Sequence, residues 1–408
     1  MIAMLAILQF TVILDFMVLS PLGVILLKEL NMKTSQFGLV VSGYAISAGI
    51  AGIIAAGFAD KYDRKKMLMF FYVGFIVGTV FCALATDFLS LLVARIVTGL
   101  FGGVLSSIGF AIITDLFKME VRGRVMGFVQ MAFSVSQVLG IPIGLYLANH
   151  LNWHAPFWMI AGLGVIIGII LFTYMKPVTD HLKIKSDRNA LYLLAKTFSN
   201  TSYLKAFAST TLLATGGFMI MPFASAFTTN NLGIPQEDLP ILYGVTGIFS
   251  MIAGPFIGRY SDILGKYNIF FIGTVFSIVT LLIYCHLGVT PLWLLIIINI
   301  FMFFGITARI ISSSALMTGI PNPNDRGAFM SINSAVQQIS GGIGSGVAGL
   351  IVIQTSEGKI LHYDILGYVV TVAMIIATVA IYYINKQVET KQKNVLKTTG
   401  NQQKIAVG

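Results

Sequence analysis

Long apolar runs alternate with short polar segments along the whole chain. A helix needs about 20 mostly apolar residues to cross the hydrocarbon core of a bilayer. Gly and Pro interrupt these runs, whereas a membrane β-barrel would show short strands of alternating polarity. The pattern predicts twelve transmembrane helices, over residues 2–27, 37–59, 67–85, 88–114, 124–148, 155–175, 206–228, 240–258, 268–286, 291–315, 328–353 and 365–385.

The composition supports lipid as the main solvent. The 408 residues are 56% hydrophobic and only 10% charged, whereas a soluble domain has about 25% charged residues. The 41 glycines fit membrane helices, because small residues let helix backbones approach each other. The opening run, Met1 to Leu27, is long enough to be a spanning helix and lacks the pattern of a removable signal peptide.

Two segments of the chain repeat after about half its length. The charged turn at 57–66 has a counterpart at 258–266, and Arg122-Gly123 recurs as Arg326-Gly327. Such a repeat predicts two homologous halves of the same membrane topology. We expect an all-α integral membrane protein of two pseudo-symmetric six-helix bundles. The expected domains are an N-terminal bundle over 1–175, a cytoplasmic linker over 176–205, a C-terminal bundle over 206–385 and a disordered cytoplasmic tail over 386–408.

The basic residues predict the orientation of the chain. With the N-terminus inside, 21 of the 26 Lys and Arg residues fall in inner loops and the tail, and 3 fall in outer loops. Basic residues accumulate on the cytoplasmic side of membrane proteins, so both termini are expected in the cytoplasm. The net charge of +10 is therefore explained by topology, and no basic segment interleaved with aromatic residues indicates nucleic-acid binding.

Motifs for other chemistry are missing from the sequence. It contains no phosphate-binding Gly-Lys-Ser/Thr loop, no nucleophile elbow and no cluster spaced for metal ligands. Cys82 and Cys285 lie in apolar runs and are interpreted as buried hydrophobic residues. We therefore expect no cofactor, no metal and no enzymatic activity.

The turn after the second predicted helix carries a family resemblance. Asp60 followed by Arg64-Lys65-Lys66, within twelve helices in two halves, resembles the signature loop of the major facilitator superfamily. The loop departs from the family pattern at Ala56 and Asp63, where glycines are usual. The second-half copy keeps both glycines, as Gly258 and Gly265.

Three further motifs extend this resemblance. Arg95 and Gly99, one helical turn apart, look like the family's second motif. In the fifth helix, Gly140, Pro142 and Gly144 resemble the glycine–proline motif of the drug:proton antiporter branch. The segment 152–158 is similar to the Trp-Arg-x-x-Phe junction of sugar-efflux and chloramphenicol-efflux transporters, with His154 in place of the arginine.

Asp15 is the one carboxylate in the middle of an apolar span. Thirteen residues at 1.5 Å each place it roughly 20 Å into the helix. A carboxylate at that depth must face a cavity, pair with a cation or carry a proton. We predict that Asp15 and Arg95 couple transport to protons, a role that the resemblance also implies for Arg95. The alternatives are a structural acid paired with a basic side chain, and an arginine that reaches outward to the surface.

Polar and aromatic side chains within the spans are candidates for a substrate cavity. They either line a polar cavity or bond neighbouring helices, and Arg309 has the further alternative of reaching inward to the surface. The predicted cavity residues are Phe16, Tyr44, Gln130, Phe133, Gln137, Met219, Tyr243, Arg309, Asn333 and Gln337.

Charged residues of the cytoplasmic turns are candidates for a gate. The resemblance implies that this cluster holds the two halves together on the inner side; the alternative is that the basic residues only fix topology. The predicted gating residues are Asp60, Arg64, Lys65, Arg122, Asp262 and Arg326.

These features together predict a proton-coupled secondary transporter that exports a small amphipathic compound or sugar by alternating access. The alternatives are a proton-coupled nutrient or anion symporter, and a membrane sensor that kept the fold without transport. The expected partners are a small-molecule substrate, protons and the lipid bilayer. We expect a monomer in the cytoplasmic membrane of a bacterium.

Overall fold

The computed structural model describes residues 1–58, 62–117, 119–179, 197–321 and 326–407. The helices are α1 Ile2–Val18, α2 Gly23–Glu29, α3 Thr34–Phe58, α4 Arg64–Leu84, α5 Phe88–Leu116, α6 Met119–Val135, α7 Ile141–His150, α8 Ala155–Tyr174, α9 Thr201–Asn230, α10 Leu239–Leu264, α11 Lys266–Cys285, α12 Leu292–Gly319, α13 Arg326–Ile351 and α14 Tyr363–Val407. A π-helical turn, Ser136–Gly140, joins α6 to α7, and a 3₁₀ turn, Gln236–Asp238, precedes α10. Strands β1 Ile353–Gln354 and β2 Ile360–Leu361 pair antiparallel between α13 and α14.

Each predicted span coincides with one helix or with a joined pair of helices. Among the described residues, ten helices are long and apolar enough to cross a membrane, or eleven when α1 and α2 count as one bent span. The remaining span is α13, whose sequence is rich in Gly, Ser, Asn and Gln. The all-α fold class predicted from the sequence is confirmed. The domain boundaries stay a prediction, and most of the linker lies outside the described residues.

The first predicted span is bent rather than straight. Helices α1 and α2 meet at an angle of 55°, and Pro21 lies in the break between them. Proline lacks a backbone N–H and its ring clashes with the preceding helical turn, so a helix kinks there. The break leaves the carbonyl of Ser20 free for other donors, and it accepts from the Gly23 N–H at 3.0 Å and the Ser225 hydroxyl at 3.2 Å.

The chain after Gln387 differs from the prediction of disorder, because α14 continues to Val407. The segment has no proline and is rich in Lys and Gln, which are good helix formers. Extending an existing helix also avoids the cost of nucleation. The prediction that residues 386–408 are disordered is therefore wrong for the backbone of 386–407.

Two helix starts show how local sequence sets the boundaries. Asp63 caps α4 by accepting the Lys65 N–H at 2.8 Å. Asp87 and Ser90 form a capping box at the start of α5. Hydrogen bonds from the Ser90 backbone lower the pKa of the Asp87 carboxyl below its usual value. Side chains that accept orphan N–H groups in this way stabilise the first turn of a helix.

The apolar core connects the two halves on one side of the membrane. We call the side with the loops at 30–33, 231–235 and 352–362 the predicted outer face, and the opposite side the predicted inner face. One buried cluster near the predicted outer face joins Val18 and Phe37 of the N-terminal half to Phe223 and Ala348 of the C-terminal half. Towards the predicted inner face, the large described clusters each belong to one half. The described halves are thus packed together at the predicted outer face.

Helices α3 and α13 form the main seam between the halves. A Cβ on Gly38 would lie 2.9 Å from the Ser345 carbonyl oxygen and 3.1 Å from the Cα of Gly349. The Thr34 hydroxyl donates to the Val352 carbonyl at 2.6 Å. The Ser42 hydroxyl donates to the carbonyl of Gly342. Small residues on both helices therefore permit backbone-to-backbone contact.

A second seam joins α7 and the π-helical turn to α10. A Cβ on Gly247 would lie 3.1 Å from the Cα of Val138. At the predicted outer end, the Asn149 amide donates to the Gln236 carbonyl at 3.0 Å, and the Gln236 amide donates to the Asn149 side-chain oxygen at 2.8 Å. These reciprocal bonds link the halves beside the predicted outer face.

Candidate functional site

The structure brings Asp15 and Arg95 into direct contact. The Nη1 of Arg95 on α5 donates to the Oδ2 of Asp15 on α1 at 2.7 Å and to the backbone carbonyl of Asp15 at 3.2 Å. Both side chains are fully buried, with 0% exposure. In a medium of low dielectric, such a pair is held by charge-assisted hydrogen bonding. The alternative in which Arg95 reaches the outer surface is therefore wrong for this structure.

Two more helices complete this ion-pair site. The Thr79 hydroxyl on α4 donates to the other Asp15 oxygen at 3.3 Å. The Tyr44 ring on α3 lies 4.3 Å from the Cζ of Arg95, within the range of a cation–π contact. Among the described residues, the Nε and Nη2 of Arg95 have no hydrogen-bond partner. Each carboxylate oxygen of Asp15 thus accepts a hydrogen bond, while part of the guanidinium is left for a further acceptor.

Gly99 shows why the arginine motif ends in a glycine. A Cβ there would lie 2.9 Å from the Cα of Tyr44 and 2.4 Å from its carbonyl oxygen. These are backbone atoms, so α3 would have to move away. Gly99 therefore lets α3 approach closely enough to place the Tyr44 ring against Arg95, one turn earlier on α5.

The glycine–proline motif of the fifth span positions α1 in a similar way. A Cβ on Gly140 would lie 2.3 Å from Leu14, and one on Gly144 would lie 2.7 Å from Val18. Pro142 faces the other half, 3.5 Å from the Cβ position of Gly244. The motif thus lets α1 pack beside Asp15 and also contacts α10.

An aromatic cluster next to the ion pair crosses between the halves. Phe16 follows Asp15 and packs against Tyr44 at 5.3 Å and against Phe218 of α9 at 5.6 Å between ring centroids. Met219, beside Phe218, is buried. The predicted cavity residues Phe16 and Tyr44 therefore lie close to the ion pair, in packed rather than open surroundings.

The other predicted cavity residues are spread more widely. Asn333 accepts from the Thr210 hydroxyl at 2.6 Å, so it joins two helices of its own half. Arg309 is buried and its Cζ lies 5.7 Å from the Phe270 ring centroid. Phe133 and Gln337 are exposed, and Gln137 and Tyr243 are half-buried. The side chain of Gln130 lies outside the described residues. Cavity lining by this set stays a prediction.

The described gating candidates make contacts within their own half. The Arg64 Nε donates to Asp115 of α5 at 2.9 Å. The Lys65 Nζ donates to the Phe172 carbonyl of α8 at 2.9 Å. Asp262 is exposed. Asp60 lies outside the described residues, as do the side chains of Arg122 and Arg326. The gating role stays a prediction.

Asp63 has a role that sequence reasoning missed. Its carboxylate accepts the Val178 N–H at 3.2 Å, while the Arg64 N–H donates to the Val178 carbonyl at 3.2 Å. The residue that departs from the family loop pattern thus fastens the chain after α8 to the start of α4. The sequence also gave no signal for Thr79, since a threonine is ordinary in a membrane helix.

Two helical halves, packed together through glycine-lined seams and with a buried ion pair inside the N-terminal half, define a class of multi-pass membrane transporters. A sequence model of the Major Facilitator Superfamily matches residues 5–209 and again 206–406. The chain belongs to this family, whose members are transporters and not enzymes.

Individual relatives agree with this assignment. The uncharacterized MFS-type transporter YceJ of Bacillus subtilis is 25% identical over 371 residues, which cover 88% of this chain and 91% of YceJ. Multidrug resistance protein 3 of the same species is 30% identical over 152 residues, 37% of this chain and 30% of that protein. A probable sugar efflux transporter of Helicobacter pylori is 24% identical over 151 residues, 37% of this chain and 39% of that protein.

Solved structures show the same fold at lower identity. The nucleoside transporter NupG superposes with a TM-score of 0.75 at 15% identity, covering 94% of this chain and 99% of NupG. A bacterial homolog of the lysosomal transporter Spinster, in an inward-facing and unoccupied conformation, superposes with a TM-score of 0.69 at 14% identity, covering 97% of both chains.

Proposed function

We propose that this chain is a proton-coupled secondary transporter that exports a small amphipathic compound or sugar by alternating access. The observation that carries the proposal is the fully buried pair of Asp15 and Arg95. Protonation of Asp15 would remove its negative charge and leave Arg95 without its partner. A buried arginine without a partner is costly, so the protonated and deprotonated forms would favour different packings of the helices around them.

A contact between the two halves lies directly beside the ion pair. Phe16 packs on Phe218 of the other half, directly beside Asp15. A change in the position of Asp15 would therefore act directly on its neighbour Phe16, which forms a contact between the halves. A ligand shifts a two-state equilibrium only by its differential affinity for the two states, and a proton on Asp15 would act in that sense.

The direction and the substrate class are proposed on sequence grounds. The glycine–proline motif at 140–144 resembles that of the antiporter branch, and partial matches include a multidrug resistance protein and a sugar efflux transporter. We further propose the cytoplasmic membrane of a bacterium as the location, both termini in the cytoplasm, a monomer as the working unit, and inner-side gating by the charged turns.

The test is transport by purified protein in proteoliposomes with an imposed pH gradient. The probes are ethidium, chloramphenicol, a thiogalactoside and phenyl phosphate, which is an amphipathic acid. We expect pH-driven accumulation of at least one probe by the wild type, none by Asp15→Asn, and wild-type behaviour by the control Glu357→Gln, which alters an exposed carboxylate in a loop. Equal accumulation by Asp15→Asn and the wild type would remove Asp15 from the mechanism, and equal behaviour of wild-type and empty vesicles would contradict the proposal.

A further inference from the structure

Arg309 is a buried arginine in the C-terminal half, whereas Arg64 and Arg95 are buried in the N-terminal half. It is 6% exposed and sits on α12, ten residues before the end of that helix at the predicted inner face, which is about 15 Å along the axis. Its Cγ lies 3.4 Å from the Cβ position of Gly273 on α11. A Cβ there would also lie 2.7 Å from the Cβ of Ala308 and 2.9 Å from the Gly305 carbonyl oxygen, so Gly273 lets α11 and α12 pack closely beside the arginine.

Among the residues that the structure describes, no carboxylate pairs with Arg309. Within the part of the chain that the structure describes, it has no salt bridge, its Nε has no hydrogen-bond partner, and its one charge-related contact is the Phe270 ring. Arg95, by contrast, is paired with Asp15. The half-repeat of 204 residues puts Met219 at the position of Asp15 and Asn299 at that of Arg95, so the C-terminal half does not repeat this ion pair and Arg309 is not the counterpart of Arg95.

An enclosed guanidinium without a counter-charge costs several kcal/mol. A ligand that brings a negative charge to the guanidinium during the transport cycle would offset this cost. The Nε and one Nη of an arginine form a planar fork that matches the two oxygens of a carboxylate or phosphate. The atom without a partner in Arg309 is the Nε, which belongs to that fork.

We propose that Arg309 binds an anionic oxygen group, a carboxylate or phosphate, of the transported compound, so that the substrates are amphipathic acids. Three serines, at 312–314, follow Arg309 on the same helix, and the Ser312 hydroxyl lies 3.3 Å from the Ser261 hydroxyl on α10. These hydroxyls offer uncharged hydrogen bonds beside the arginine. The inference rests on the proposed transport function and names the substrate class for it.

Binding to the purified protein tests the inference without transport. Thermal unfolding is measured in neutral detergent with benzoate or with its uncharged isostere benzamide, at equal ionic strength. We expect benzoate to raise the melting temperature and benzamide to leave it unchanged. Arg309→Gln should lose at least tenfold in benzoate affinity, and Arg309→Lys, which keeps the charge but not the fork, should lose less. Should Arg309→Gln fail to fold, the lysine variant and the benzoate–benzamide comparison still decide.

Three results would overturn the inference. The first is equal stabilisation by benzoate and benzamide, and the second is an unchanged benzoate affinity in Arg309→Gln. The third is an Arg309-dependent stabilisation produced by phosphatidylglycerol but not by benzoate, which would assign the site to a lipid headgroup. The wild type separates this inference from proton coupling: Arg309-dependent binding of benzoate without pH-driven transport would support the inference and contradict the proposed coupling.

Discussion

Gly38 offers the sharpest test of the seam between the halves. Replacing it with alanine places a Cβ 2.9 Å from the Ser345 carbonyl oxygen and 3.1 Å from the Cα of Gly349. Both are backbone atoms of α13, so neither can turn aside as a flexible side chain would. The contact exists only while α3 and α13 are packed together, and the substitution therefore raises the free energy of that state alone.

The size of the effect follows from the overlap. Added methyl groups in well-packed regions cost about 1–3 kcal/mol, which corresponds to a change of about 5- to 150-fold in a two-state ratio. We expect Gly38→Ala to shift the population towards opening at the predicted outer face by a factor in this range. Gly52→Ala on the same helix is the matched control, because its Cβ would meet Ser107 at an ordinary 3.4 Å within one half.

The assay is double electron–electron resonance between spin labels at Lys33→Cys and Glu357→Cys. Both positions are exposed, and each half carries one. The native Cys82 and Cys285 are buried and should label slowly. A longer-distance population should grow in Gly38→Ala and not in Gly52→Ala. Identical distance distributions in Gly38→Ala and the wild type, or equal shifts in both variants, would refute the reasoning.

Two further predictions concern the ion pair and the start of the linker. Asp15→Asn or Arg95→Gln alone should lower the free energy of unfolding by up to about 3–5 kcal/mol, because each leaves a buried polar partner uncompensated. The double variant should lose clearly less than the sum of the two single losses. Additive losses in a denaturation series would contradict the pairing. Asp63→Ala should remove a helix cap worth about 0.5–2 kcal/mol and speed amide hydrogen exchange at Val178. Asp63→Asn should keep most of the protection of the Val178 amide against exchange. Equal protection of this amide in Asp63→Ala and the wild type would show that Asp63 does not hold the linker.

The sequence was enough to predict which residues form the ion pair, but not which side chains surround them. Asp15 and Arg95 stand out in sequence because charges are rare in apolar spans. The sequence did not show that the Tyr44 ring packs on Arg95. It also did not show that Arg309 contacts α11 beside Gly273. A linear pattern shows that a residue is polar and deep, whereas the neighbour that it meets depends on the rotation of each helix.

The sequence by itself determined the helical spans and the two-half plan. In lipid, each apolar segment of about 20 residues must satisfy its own backbone hydrogen bonds, and this local requirement makes it a helix wherever its neighbours lie. The tertiary structure alone decided that Asp15 meets Arg95 across 80 positions, and that α3 meets α13 through Gly38 and Gly349. Those contacts depend on how closely the helix backbones can approach, which is a property of both surfaces together and of neither segment alone.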